Sequence, residues 1–353
     1  MRYLFYLGHP AHFHLFKNLI AELRSAGHET KILIKKKDIL EQLLTDSGWE
    51  YTNIMLGERG NSKFRIAISL IRRVWSILRI ARKFKPDLMM GTSTELNQVG
   101  RLLGIPSINV NEDDASAVPL FAKLGYPFAT RILAPECCDC GKWNYKKIAH
   151  KSYHELAYLH PDLFTPDPAV VEKYNLGERF YILRFAMLNA HHDAGRTGIT
   201  TAIAAKIIAL LEPSGKVFIT SERKLEPEFE KYRIAIPPLE IHNALYYASM
   251  YIGDSQTMAA EAAVLGTPSI RFNDFVSELS YLEELENKFG LTYGIKANSP
   301  EKLLQKINEL LAFPDLKSKW AEKRKRMLNE RENLTKIMFN LLVNDELSLF
   351  KKY

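Results

Sequence analysis

Residues 249–272 read SMYIGDSQTMAAEAAVLGTPSIRF, and the division of this stretch decides the fold. Residues 250–252 form a short apolar run with the character of a buried strand. Gly253-Asp254-Ser255 makes a turn, and the Ala-rich run 257–265 reads as a helix. Gly266 suits the position just past that helix, Pro268 follows, and residues 269–272 form a second strand. Strand, turn, helix and strand together make one βαβ unit. The helix start carries Ser255, Gln256 and Thr257. Free backbone N–H groups, hydroxyls and the positive helix end there favour an anion such as a diphosphate. Glu261 lies four residues past Thr257, about one turn on and on the same face. A carboxylate there is placed to accept the two hydroxyls of a ribose. The plainer alternative is an ordinary βαβ unit, capped by Asp254 or Ser255, with Glu261 in solvent.

Working outward, strand and helix alternate through most of the chain. Strands are expected over 2–7, 29–34, 87–90, 107–110 and 131–134, the last closing the first half. Helices are expected over 13–25, from a cap at Asp38 to Ser47, and over 66–84 and 95–103. From Cys137 to about Asp167 the pattern lapses, and the Pro-rich run 161–168 reads as an interdomain linker. A strand over 180–185, a polar loop over 189–198, a helix over 200–211 and a strand over 216–220 restart the alternation. Beyond Ser299 the chain is helical and charged to about Val343. The fold class is therefore α/β, with two Rossmann-like domains of parallel sheet covered by helices. The expected division is 1–165 for the first Rossmann-like domain, 166–330 for the second, and a helical tail over 331–353. Two such domains facing one another predict a cleft lined by the carboxyl ends of both sheets.

The composition narrows the class of protein. The chain has 353 residues, enough for two cores, with 46% hydrophobic and 25% charged residues as in globular proteins. No run approaches the roughly 18 apolar residues that span a bilayer. The start, MRYLFYLGHP, reads as a first strand rather than a signal peptide. A net charge of +7 permits an anionic partner, but no nucleic-acid-binding signature is present. All three cysteines fall in Cys137-Cys138-Asp139-Cys140, which suits a reduced loop in the cytosol better than a disulfide framework. Adjacent cysteines ill suit one tetrahedral metal, so no metal or cofactor is expected.

Other candidate groups lie at strand ends. The loop GHPAHFH places Gly8, His9, His12 and His14 after the first strand. Gly8 permits close approach of a ligand, and an imidazole titrates near neutrality. Asn111-Glu112-Asp113-Asp114 crowds three carboxylates, so that one is raised towards protonation. Arg184, with His191, His192, Asp193 and Arg196, offers positive charge to a diphosphate. In the 63–85 helix, Arg65, Ser69, Arg72, Arg73, Ser76, Arg79 and Lys83 form a polar stripe. Opposite it stand Ile68, Ile71, Trp75 and Leu78. The expected packing is core on the apolar side and solvent on the basic side, with docking on anionic lipid as the sharper reading.

The pattern from His242 (HxALxxASxxIGDS), continued by Glu261-Ala-x-x-Leu-Gly-Thr-Pro, resembles the nucleotide-sugar site of GT-B enzymes. It is most similar to UDP-GlcNAc 2-epimerases and the lipid II-forming N-acetylglucosaminyltransferase, and the start of the chain resembles an uncharacterised prokaryotic GT-B-like family. The resemblance implies that Glu261 holds ribose and that Asp254, Ser255, Gln256 and Thr257 hold diphosphate, with Arg184 and His191 beside them. His12 matches a base used by inverting transferases, with Asp113 as a second acid–base candidate. The epimerases' first-loop Arg is absent, and His9-Pro10 stands in its place, which counts against epimerase activity. The resulting expectation is a glycosyltransferase using a UDP-linked sugar for cell-envelope or surface polysaccharide. Its partners are a nucleotide-sugar donor and a glycan or lipid-linked acceptor. The expected location is the cytoplasm, with peripheral contact at the inner face of the membrane. The alternatives are an epimerase and a non-catalytic nucleotide-sugar-binding protein.

Overall fold

The computed structural model describes residues 1–35, 39–54, 63–186 and 198–343, with side chains omitted over 63–68. Two compact units emerge: Met1–Leu163 joined by the closing stretch from Glu332, and Phe164–Arg331.

The first unit holds seven strands: β1 (Arg2–Leu7), β2 (Glu29–Ile34), β3 (Thr52–Asn53), β4 (Leu88–Gly91), β5 (Ser107–Val110), β6 (Arg131–Pro135) and β7 (Lys147–His150). All pair in parallel, in the order β3-β2-β1-β4-β5-β6-β7. Helices cover the sheet, which explains why its central strands are uninterrupted apolar runs: Tyr3, Leu4, Phe5 and Leu7 are fully buried. Helix Pro10–Ser25 buries Phe13, Phe16, Leu19, Ile20 and Leu23, spaced to line one face. The strand order reverses between β1 and β4. There Gly91 comes so close to β1 that an added Cβ would stand 2.7 Å from the Tyr6 carbonyl oxygen. Only glycine lets the two backbones meet at this point.

Three expectations fail in this unit. The alternation does not close at 131–134, because β7 adds a further edge strand. Lys-Ile-Ala-His needs no continuous apolar run at an edge, where only His150 is buried. The helix after β1 begins at Pro10 rather than at 13, because His9 supplies the cap. On helix Lys63–Phe84 the packing face is rotated: Ile71 and Trp75 are 67% and 60% exposed, while Arg73 is 7% exposed. Ile77 and Ala81 pack inward with Val74 and Leu78, and Arg73 joins that side because Glu95 neutralises it at 2.6 Å. The Asp38 cap falls outside the described residues.

The second unit holds β8 (Phe180–Phe185), β9 (Lys216–Ser221), β10 (Met250–Gly253), β11 (Ser269–Phe272) and β12 (Thr292–Ile295), in the parallel order β12-β11-β10-β8-β9. Its order reverses between β8 and β10. Helix Leu316–Glu330 is pinned by Trp320, whose Nε1 donates to the Leu291 carbonyl at 2.9 Å. After Arg331 the chain returns to the first unit. Helix Leu334–Val343 packs on Pro10–Ser25, and the Tyr3 hydroxyl donates to the Leu342 carbonyl at 3.1 Å.

Candidate functional site

In doubly wound sheets, ligands bind beyond the carboxyl ends of the strands where the order reverses. In the first unit that point lies between β1 and β4, and the three loop histidines divide there by environment. His9 caps helix Pro10–Ser25, its Nδ1 accepting from the Ala11 N–H at 3.2 Å. His14 is buried, its ring 5.2 Å from that of Tyr158. His12 remains at the surface of a recess of about 210 Å³, with Gly8, Lys35, Thr92, Thr94 and Phe121 also in its wall. The Gly8 N–H donates to His12 Nδ1 at 3.1 Å, which places the proton of the neutral ring on Nε2. Thr92 Oγ1 lies 2.7 Å from Nδ1 and 2.8 Å from Nε2.

Glu95 and Arg73 form the floor of this recess. Burial works against the charge on Glu95. Arg73, the Ser93 hydroxyl at 2.9 Å and other donors outweigh it and hold the carboxyl below its usual range. Neither residue was named as a site residue from the sequence, because an ion pair between two helices, 22 residues apart in the chain, has no local signature.

Asp113 does not line this recess. In its acidic run the raised carboxyl is that of Glu112, driven first by burial and then by the charge of Glu155. Glu112 accepts from the His154 N–H at 3.0 Å, and His154 Nδ1 lies 3.3 Å from its carboxylate. Burial pushes the His154 pKa down to about 3, so the imidazole is neutral. The crowding expected from the sequence is present, centred one residue earlier and completed by a residue 43 positions on. Cys138 Sγ donates to the Glu112 carbonyl at 2.9 Å, and Cys138 and Cys140 are buried free thiols. Among the described residues, no group of three or more His, Cys, Asp or Glu is arranged to hold a metal ion.

In the second unit the reversal lies between β8 and β10. Gly253 pairs with Arg184 across the two strands, and a Cβ on Gly253 would stand 2.8 Å from that of Arg184. Arg184 donates to Thr220 Oγ1 at 2.8 Å and pairs with Glu222, so part of its charge is already matched. Asp254 is 3% exposed, and its two carboxylate oxygens accept from the N–H groups of Ala186, at 2.6 Å, and Ile199, at 3.2 Å. That bracing role departs from the expected one, since both oxygens face the chain rather than a ligand. His191, His192, Asp193 and Arg196 lie outside the described residues.

Ser255 caps helix Gln256–Leu265, its hydroxyl accepting from the Met258 N–H at 3.4 Å. The helix therefore starts one residue before the expected 257. Ser255, Gln256 and Thr257 are half-buried at its positive end, and Gly266 closes it with φ 80°. Glu261 is 7% exposed rather than solvated, with Oε1 3.0 Å from Nε2 of the buried His242. His242 lay in the quoted motif but was not marked as a site residue. Its spacing from Glu261, 19 residues across a helix and a strand, hides the contact.

Burial raises Asp254 to about 6, offset in part by the two backbone donors. An unfolded aspartate titrates near 3.9. The folded form thus holds its proton more tightly, and its contribution to stability is present below about pH 4 and lost as pH rises through about 6. Stability measured by urea unfolding should fall across that window, and Asp254→Asn should flatten the fall. An unchanged slope in the variant would assign the titration to another group.

A family model described as "Protein of unknown function (DUF354)" matches residues 5–346. An uncharacterized protein, MJ0665 of Methanocaldococcus jannaschii, is 24% identical over 276 residues, covering 75% of this chain and 79% of that protein. Among solved structures, the UDP-GlcNAc 2-epimerase of Neisseria meningitidis bound to UDP-GlcNAc matches with a TM-score of 0.65 and 16% identity. That alignment covers 97% of this chain and 99% of the epimerase. The UDP-GlcNAc 2-epimerase of M. jannaschii gives 0.63 and 14%, over 89% and 94% of the two chains. The spinosyn rhamnosyltransferase SpnG, complexed with spinosyn aglycone, gives 0.64 and 15%, over 97% and 100%. At such identities the likeness shows the fold, which is of GT-B type with two Rossmann-like units. Among the described residues no helix is long and apolar enough to cross a membrane.

Proposed function

The chain belongs to the DUF354 family, and we propose that it is a glycosyltransferase moving a sugar from a nucleotide-sugar to an acceptor in cell-envelope or surface polysaccharide assembly. The observation that carries this reading is the helix Gln256–Leu265. Its Ser255-capped positive end stands at the strand reversal of the second unit, and a buried carboxylate, Glu261, lies within it. Ser255, Gln256 and Thr257, with Arg184, receive the diphosphate, and Glu261 receives ribose. Asp254 acts one step back, by holding the chain at Ala186 and Ile199. Negative charge growing on the departing nucleotide is the main demand of the reaction, and a helix end with an arginine meets it. UDP is the favoured nucleotide, in line with the UDP-GlcNAc seen in the Neisseria epimerase. His12 in the first unit takes the proton of the acceptor hydroxyl, and the reaction proceeds in the cytoplasm. The test is a thermal-shift screen against UDP, GDP, CDP and dTDP and their sugars. A shift with one nucleotide family, lost in Glu261→Ala, supports the reading. Silence with every nucleotide removes it.

An epimerase of the kind seen among the structural neighbours is the second reading. It turns over a nucleotide-sugar with no acceptor present, whereas the transferase does not.

The exposed Ile71 and Trp75 lie on a helix that also carries Arg72, Arg79 and Lys83, and this favours a lipid-linked acceptor approached at the membrane surface. Trp75→Ser should weaken binding to vesicles rich in anionic lipid by at least about tenfold, the effect of withholding one large apolar side chain from burial. Flotation that is equal for both proteins would rule this contact out.

A further inference from the structure

A recess of about 630 Å³ opens at the amino-terminal ends of β8, β10 and β11, at the far end of the second sheet from Arg184 and Ser255. Its volume is that of a small-molecule pocket. One wall is a face of helix Leu316–Glu330 that presents Lys317, Arg324 and Lys325, and Arg179 stands on the sheet side. Four cations meet two carboxylates, Glu178 and Asp315, and among the described residues none of these six forms a salt bridge. Apart from Ser249 and Asn329, the rest of the lining is apolar or aromatic. Arg324 lies 5.9 Å from the Tyr246 ring and Lys317 5.5 Å from that of Tyr247.

Arg324 is the most telling of these groups. Its Nε donates to the Val264 carbonyl at 2.9 Å, and its Cδ packs where a Cβ on Gly266 would stand 2.8 Å away. Among the described residues its terminal nitrogens bond to no protein group. Burial without a carboxylate holds its pKa below the usual range. A fixed, partly desolvated guanidinium of this kind matches a phosphate, which accepts two parallel N–H bonds. Tyrosine rings beside the cations suit a ligand that also carries a ring.

We propose that this recess is a second ligand site, for a small ring-bearing phosphate ester of the nucleotide or sugar-phosphate class. Isothermal titration of the full chain with UMP, glucose 1-phosphate and pyrophosphate tests it. In Glu261→Ala, which weakens the first site, at least one ester should still bind saturably, as tightly as to the unaltered protein and more tightly than pyrophosphate. UMP and glucose 1-phosphate distinguish the two sources of the phosphate ester. In the double variant Lys317→Glu, Lys325→Glu that affinity should fall at least about tenfold, the loss of roughly 1.4 kcal/mol. Both lysines are exposed, so an unchanged melting temperature confirms that the fold is intact. The proposal is overturned if no ester binds Glu261→Ala, if pyrophosphate binds as tightly as the esters, or if the charge reversal leaves affinity unchanged.

Discussion

Glu261→Ala should lose nucleotide-sugar affinity by about 10- to 150-fold, because a hydrogen bond to a charged acceptor contributes roughly 1.5–3 kcal/mol. The side chain is 10% exposed, so such a bond forms where water competes poorly. His242, with Nε2 3.0 Å from Oε1, helps to fix the orientation of the carboxylate. The substitution also deprives a buried imidazole of that contact, at a cost to stability of about 1–3 kcal/mol. Calorimetric titration is therefore read beside the melting curve. Glu261→Gln separates the two effects, since its amide still contacts His242 but lacks the charge. Unaltered affinity in a folded Glu261→Gln protein would deny the ribose role. His242→Ala should weaken binding less than Glu261→Ala, since it acts only through the orientation of the carboxylate.

The sequence was most readable where one local rule sufficed. A glycine after an Ala-rich run marked the end of helix Gln256–Leu265, and apolar runs between turn residues marked β1, β2, β5, β8 and β11. Those signals depend on neighbours in the chain, so no tertiary knowledge was needed. Legibility fell wherever a distant residue changed the local preference. Arg73 belonged by periodicity to a solvated basic stripe, but Glu95 draws it inward and leaves Ile71 and Trp75 outside. Glu112 became the raised carboxyl first because it is buried and then because Glu155, far along the chain, adds like charge. Asp254 suited an anion-binding turn by type, yet two backbone N–H groups claim its oxygens. In the short edge strands β3 and β7 a few residues carry too little pattern to distinguish from loop.

His12→Ala should lower turnover by about 10²- to 10⁴-fold, the usual contribution of a general base, while donor affinity stays unchanged. The geometry makes a finer prediction possible. Nδ1 accepts from the Gly8 N–H, and Thr92 Oγ1 stands 2.7 Å from the same nitrogen. With its proton on Nε2, the neutral ring has one in-plane lone pair, so only Nδ1 can receive a proton. That lone pair now accepts from the Gly8 N–H, so an acceptor hydroxyl in the recess of about 210 Å³ must displace Gly8 as well as Thr92 from Nδ1 before the ring can take its proton. Thr92→Val removes a competitor for that position and should change the acceptor KM more than the donor affinity. His12→Gln keeps an oxygen able to accept from Gly8 and so preserves the loop, but it cannot take a proton in the working pH range. If His12→Gln turns over as slowly as His12→Ala, the ring acts by proton transfer. If it turns over at the wild-type rate, His12 only shapes the loop and the base lies elsewhere. Asp113→Asn supplies the remaining comparison: lying outside the recess, it should leave turnover within about twofold of wild type. A collapse of activity in that variant would move the base to the acidic run after β5. With donor binding intact in His12→Ala, Asp113→Asn and the unaltered protein alike, and turnover in none of them, the protein would be a binder of nucleotide-sugars rather than a transferase.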